Sequence, residues 1–226
     1  MKNDIAELLI KIPIFAALEA NELKEIVSLS HEKKFAANEN IFWESDAADW
    51  FYIVIEGKVK ISKLTSNARE IVLSFFGRGE IFGEVAVLEN GLYPASAQAM
   101  DASRLIGIRR SDFWNFLLKH PAIALKIISL LSGRLREAQN RLRDLAGERV
   151  EQRLARLLLR LFDKLGTVLP FTRQELSDMS GTTTETTIRT LSQWKDQGII
   201  SSVRGKTTII DEKKLRKMAE GPGAEL

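Results

Sequence analysis

From Pro121 to Ala146 apolar residues recur every three or four positions without a break, which is the period of an α-helix. Pro121 suits the first turn of such a helix, where its missing N–H is not needed. At about 1.5 Å per residue these 26 residues span about 39 Å, too long for burial inside one small domain. The helix therefore lies between domains or between subunits. Ile128, Leu131, Leu135, Ala138, Leu142 and Leu145 fall at alternating spacings of three and four, a heptad seam. Arg134, Arg136, Glu137, Arg141, Arg143 and Asp144 flank it like coiled-coil edge residues, which favours pairing of two chains over packing on the chain's own strands.

The segments on either side have different periods. His31 to Arg109 reads as short strands rich in β-branched and aromatic residues: 41–43, 51–55, 59–62, 70–75 and 104–108. Asn38, Gly57, Gly77-Arg78-Gly79 and Asn90-Gly91 mark turns between them, at the spacing of a small antiparallel barrel. Short helices are expected before it, at 4–9 and 21–28. Beyond Gly147 a helix is expected at 150–164, then two short helices joined at Gly181, then a hairpin around Arg204-Gly205-Lys206. Thr172 and Glu175 have the spacing of a capping box, and Thr182 or Thr183 can cap the second short helix. The expected domains are 1–120, a linking helix at 121–146, and 147–226.

Two short helices around a glycine form a helix-turn-helix when apolar residues join them. Leu176, Met179, Ile188, Leu191 and Trp194 are the expected contact set. The second helix begins with Thr183, Thr184, Glu185, Thr186 and then Arg189, small or hydrogen-bonding residues at the end that enters a major groove. Arg189 can fork onto guanine and Glu185 can accept from a cytosine amino group. Their i, i+4 spacing equally suits a surface salt bridge. The formal net charge is +3 and lies wholly in residues 147–226, which hold 14 Lys and Arg against 11 Asp and Glu.

Other chemistries find no residues. The chain has no Cys, which excludes disulfides, zinc fingers, iron–sulfur clusters and thiol nucleophiles. Gly77-Arg78-Gly79 has Phe82 where a dinucleotide fingerprint needs a third glycine, and no P-loop or metalloprotease motif occurs. An enzyme is not expected. The first residues carry Asp4 and Glu7 instead of a signal-peptide pattern, and no apolar run approaches a membrane span, so a cytoplasmic protein without membrane contact is expected.

With these features in place the sequence resembles the cyclic-AMP receptor and fumarate–nitrate regulator (CRP/FNR) family over nearly its whole length. The resemblance is carried by Thr172-Arg173-Gln174-Glu175, the Glu185 and Arg189 spacing, the Gly205-Lys206 turn, the long helix before Gly147, and Ile81-Phe82-Gly83-Glu84-Val85-Ala86. It implies an α+β fold: a cupin-like antiparallel β-barrel (jelly roll), a dimerisation helix and a C-terminal winged helix-turn-helix. It also implies a homodimer on palindromic double-stranded DNA, with RNA polymerase as a further partner. Base reading falls to Glu185 and Arg189, helped by Thr184 and Ile188. Phosphate contacts fall to Thr172, Arg173, Gln174, Thr183, Thr186 and Lys206.

The resemblance extends to the effector pocket and departs from its nucleotide-binding form. Phe82-Gly83-Glu84 matches the turn that meets the ribose, but Tyr93 stands where the phosphate-pairing Arg belongs, before Ser96. Ala138 and Gln139 stand where hydroxyls meet the base. A buried phosphate would lack charged hydrogen bonds worth about 1.5 to 3 kcal/mol each, so cyclic AMP is not the expected effector. The stretch 93–99 resembles redox and nitric-oxide sensing branches. A haem in the barrel would be consistent with that, and His31, His120, Met100 and Tyr93 are the candidate ligands, each of which also has an ordinary structural reading.

Overall fold

A computed structural model describes residues 2–65, 70–203 and 205–220. Arg204 and the side chains of Arg141, Arg143, Asp144 and Leu145 lie outside the described residues, so the last position of the expected seam and the tip of the hairpin are not characterised. Two compact units form, one from Met1–Lys63 with Leu73–Arg136, the other from Leu64–Val72 with Glu137–Leu226.

The first unit is a sandwich of two four-stranded antiparallel sheets. One sheet contains β1 (Ser30–Phe35), β3 (Trp50–Glu56), β6 (Ile81–Phe82) and β8 (Ser103–Arg109), in the order β1-β8-β3-β6. The other contains β2 (Asn40–Phe42), β4 (Val59–Leu64), β5 (Glu70–Phe76) and β7 (Ser96–Ala99), in the order β2-β7-β4-β5. Strand β3 pairs with β8 so that Phe51 faces Ile108 and Ile53 faces Ile106 across the ladder. Its residues Phe51, Tyr52, Ile53 and Val54 are all buried, because both faces of the strand are covered. On one face Phe51 stacks on Phe113 of helix α4 (Arg110–Lys119) at 4.3 Å between centroids. On the other, Tyr52 stacks on Phe82 at 5.2 Å, inside the sandwich. Helices α1 (Lys2–Lys11) and α2 (Ala20–Ser28) close the core with Leu9 and Ile26.

The long helix α5 (Pro121–Gly147) uses its faces differently along its length. Ile123 and Ile127 are buried in the core of the first unit, with Leu131 partly buried against it. Ile128, Leu135 and Leu142 are 58%, 60% and 67% exposed, so the expected seam is largely bare in the single chain. Ala138 is exposed as well.

In the second unit α6 (Val150–Leu165) buries Leu154, Leu158, Leu161 and Leu165, a stripe at spacings of four, three and four. Around it lie α7 (Arg173–Ser180), α8 (Thr184–Asp196), α9 (Glu212–Glu220) and a three-stranded sheet in the order β10 (Ile200–Val203), β11 (Lys206–Ile209), β9 (Val168–Leu169). Val203 pairs with Lys206 across the β10–β11 hairpin, and Gly205 has φ 75°. One expected core residue is misplaced: Ile188 is 48% exposed, while Thr187, Thr190, Leu191 and Trp194 are buried. Helical spacing from Leu191 and Trp194 returns to residues 187 and 190, and 188 falls beside that stripe.

Candidate functional site

Helices α7 and α8 are fixed by their ends. Thr172 Oγ1 accepts from the Glu175 N–H at 3.2 Å and the Glu175 carboxylate accepts from the Thr172 N–H at 2.7 Å, a complete capping box. Gly181 ends α7 in the left-handed region at φ 64°, where a side chain would be strained. Thr183 then caps α8, its hydroxyl accepting from the Thr186 N–H at 3.2 Å. Gln174 and Thr184 tie the two helices together: the Thr184 hydroxyl donates to Gln174 Oε1 at 2.5 Å.

These bonds leave a defined outer face on α8. Glu185, Ile188 and Arg189 are exposed there, and among the described contacts no ion pair joins Glu185 to Arg189. Lys206 is exposed on the hairpin. Arg173, an expected phosphate contact, also braces the wing. It is half-buried and donates from Nη1 to Thr207 Oγ1 at 2.9 Å and from Nη2 to the Ser202 hydroxyl, so both sides of its fork hold the wing. Burial lowers its pKa, an effect of lost hydration on the cation. Sequence reasoning also passed over Arg153 on α6, whose guanidinium reaches the carbonyls of Glu148, Ser180 and Gly181 at 2.7, 3.1 and 3.0 Å. Only the spacing of a charged residue within an apolar stripe hinted at it.

The first unit holds a cavity of about 130 Å³ between its sheets. Phe82, Gly83, Glu84 and Tyr93, four of the expected pocket residues, line it together with Phe42, Phe76 and Arg134. Gly83 sits at φ 79°, and a Cβ there would come within 3.3 Å of both Trp50 O and the Tyr93 ring. Tyr93 lies flat on Phe42 at 3.6 Å between centroids and donates its hydroxyl hydrogen to Trp50 O at 2.6 Å, an arrangement that burial reinforces by raising the phenol pKa. Glu84 is 2% exposed. Its carboxylate pairs with the Arg134 guanidinium, which also donates to Ile81 O at 2.7 Å and lies 5.0 Å from the Phe76 ring centroid. Burial raises the Glu84 pKa, and the charge of Arg134 works against that rise.

The Ser96 hydroxyl accepts from the Glu44 N–H at 2.9 Å and does not line the cavity. Ala138 and Gln139 are exposed and belong to the second unit. Arg134, read from sequence as an edge residue of the seam, is the cation that the buried Glu84 requires; a lone carboxylate in a barrel turn was the signal for it.

Of the expected haem ligands, His31, His120 and Met100 do not line the cavity. His31 packs edge-on against Trp50 at 5.5 Å, His120 is held between Glu22 and Glu25 at 2.8 and 3.0 Å, and the Met100 N–H donates to Lys58 O at 2.8 Å in the bend after β7. Of the four candidate ligands Tyr93 alone reaches the cavity, and its hydroxyl is already engaged. Among the described residues no cluster of His, Asp or Glu could hold a metal ion, and no single helix is long and apolar enough to cross a membrane.

A β-sandwich with a lined cavity, followed by a long helix and a winged helix-turn-helix, defines a DNA-binding transcriptional regulator carrying an effector-type domain. The Cyclic nucleotide-binding domain family matches residues 32–120, and the Crp-like helix-turn-helix domain family matches residues 152–218. The Cyclic AMP receptor protein of Thermus thermophilus is 30% identical over 92% of this chain and 97% of its own length. The chain belongs to the CRP/FNR family of transcriptional regulators. Among solved structures, FixK2 from Bradyrhizobium japonicum matches with a TM-score of 0.70 and 26% identity, over 84% of this chain and 96% of that one. The c-di-GMP responsive regulator CLP of Xanthomonas campestris matches with a TM-score of 0.70 and 25% identity, over 84% and 99%. Two of these relatives are named for different signals, cyclic AMP and c-di-GMP.

Proposed function

We propose that this regulator works as a homodimer on palindromic DNA, pairing through Ile128, Leu135 and Leu142 and reading bases with Glu185, Ile188 and Arg189. The observation that carries the reading is the outer face of α8: a helix capped by Thr183, with its core side spent on Thr187, Thr190, Leu191 and Trp194 and its reading side uncovered. Lys206, Thr172, Gln174, Thr183 and Thr186 supply phosphate contacts around it. Selection from random DNA with the full chain should return a palindrome whose half-sites lie about 34 Å apart, one helical turn. An asymmetric site would count against the dimer, and no enriched site would count against base reading. RNA polymerase is the partner expected at such promoters.

The cavity is the proposed effector site, and cyclic AMP is not the proposed effector. Tyr93 stands where the resemblance places the phosphate-pairing Arg, and it supplies no cation there. Calorimetry with millimolar cyclic AMP should give no saturable heat. A nitric-oxide or redox signal rests on the 93–99 stretch alone, and an absorption spectrum after incubation with haem tests it.

A further inference from the structure

The walls of the cavity narrow the chemistry of what it takes, given the proposal that the cavity is the effector site. Phe42, Phe76, Phe82 and Tyr93 present aromatic surface to it, with Phe42 on Tyr93 at 3.6 Å and Phe76 beside Phe82 at 5.7 Å. Its volume of about 130 Å³ is close to the roughly 150 Å³ of an engineered apolar cavity that takes up benzene. One ring therefore fits.

Arg134 is the sole cation among the described residues that line the cavity. Its bonds to Glu84 and to Ile81 O use two of its five N–H donors. The remaining donors belong to a planar fork whose geometry matches a carboxylate. We propose that the cavity binds a small aromatic monocarboxylate of benzoate size, its ring among the four aromatic side chains and its carboxylate on Arg134.

Such a ligand shares the guanidinium with Glu84 and draws its positive charge away from that carboxylate. Glu84 is too deeply buried to keep an unshared charge, and burial already favours its protonated form. Binding is then accompanied by uptake of one proton from solvent onto the Glu84 carboxylate, and affinity rises as pH falls towards the ligand's own ionisation.

Calorimetry of the full chain with sodium benzoate tests this. We expect saturable heat with Kd on the order of 10 to 1000 µM, tighter at pH 6 than at pH 8. Arg134→Gln should weaken binding at least about tenfold, and Arg134→Lys should restore part of it. Ala95→Leu, which fills the cavity from another wall, should abolish it, with circular dichroism confirming that each variant is folded. No heat with benzoate at about 10 mM overturns the ligand class. In that case, heat from cyclic AMP that Ala95→Leu removes would leave the cavity as the effector site with a different ligand. Benzoate binding unaffected by Ala95→Leu overturns the cavity as the site, and binding unaffected by Arg134→Gln overturns the carboxylate contact.

Discussion

Arg173 Nη1 donates to Thr207 Oγ1 at 2.9 Å, so the start of the first helix in the helix-turn-helix is bolted to the wing strand. Thr207 is fully buried, and the second half of the guanidinium fork is taken by the Ser202 hydroxyl on the neighbouring strand. A hydrogen bond to a charged group contributes about 1.5 to 3 kcal/mol when its removal leaves a buried partner unsatisfied. Arg173→Ala should therefore lower the thermal midpoint of the C-terminal unit and weaken operator and random DNA together. Lys206→Ala, on the exposed hairpin, should leave the midpoint unchanged and lower the salt slope of binding by roughly one unit. Differential scanning calorimetry and salt titrations on both variants separate a strut from a phosphate contact.

Base reading has a different signature. Arg189 is exposed beside Ile188 and Glu185, with no intramolecular ion pair to Glu185 among the described contacts. Arg189→Ala should cost about 1 to 3 kcal/mol on operator DNA and relax preference at one base pair per half-site. Binding to random DNA should fall far less. Equal losses on both DNAs would return Arg189 to the phosphate class.

Pairing through α5 predicts a change of mass. Leu135 is 60% exposed in the single chain, between Ile128 and Leu142 on the same stripe. Leu135→Lys places a charge on an apolar seam and should give monomers in sedimentation, with loss of operator binding at matched concentration. A dimer of unchanged stability would move the interface off this stripe.

His120 makes the N-terminal half sensitive to pH. Its Nδ1 lies 2.8 Å from Glu22 and its Nε2 lies 3.0 Å from Glu25, while Lys119 also meets Glu25 at 2.7 Å. Both ring nitrogens can donate to carboxylates only in the imidazolium, and the bond to Glu25 is the main cause of its raised pKa. A raised folded pKa means the stabilisation is full below the unfolded value of 6.5 and is lost as pH rises through the folded value. Glu22 and Glu25 have lowered pKa values, owing chiefly to the Glu19 N–H and to Lys119, so their share is lost on the acid side. The fall in thermal midpoint between pH 6 and pH 8 should shrink in His120→Gln; an identical fall in both proteins would mean that His120 does not control it.

How much of this was legible beforehand depends on the range of the forces involved. The local elements are readable, because the stripe of α6 buries residues at a helical interval and Phe51 to Val54 form an unbroken apolar run of strand length. Caps were readable for the same reason, since Thr172 and Glu175 are three residues apart. Strand β7 was missed because its Ser-Ala-Gln-Ala sequence has little β-branched character and is held by pairing with β2 and β4 on either side. Long-range polar contacts were hidden as well. Arg134 and Glu84 are 50 residues apart and Arg173 and Thr207 are 34 apart, so nothing in either neighbourhood names the partner. Ile188 was assigned to the core for its hydrophobicity alone, whereas the buried stripe of α8 runs through two threonines.

The turn between α7 and α8 is held from outside by Arg153. Its Nε donates to Ser180 O at 3.1 Å and its Nη2 to Gly181 O at 3.0 Å, satisfying carbonyls at the end of α7 that have no partner within the helix. Nη1 donates to Glu148 O at 2.7 Å, directly after the end of α5 at Gly147. One guanidinium thus connects the segment leaving the long helix to the turn that aims the recognition helix. Arg156 reinforces the same segment, pairing with the Glu148 carboxylate at 2.5 Å and donating to Ala219 O at 3.0 Å. Removal of Arg153 leaves three carbonyls to water and frees the turn to tilt. Arg153→Met, which keeps much of the aliphatic packing, should weaken operator binding by about 1.5 to 3 kcal/mol, the scale of one lost charged hydrogen bond. Because Arg153 acts through the turn, the salt slope should stay the same, unlike that of Lys206→Ala. Hydrogen exchange should show faster opening of amides at 181–183 in the variant, with the amides in the middle of α8 unaffected. Unchanged exchange at the turn together with a reduced salt slope would make Arg153 a phosphate contact instead.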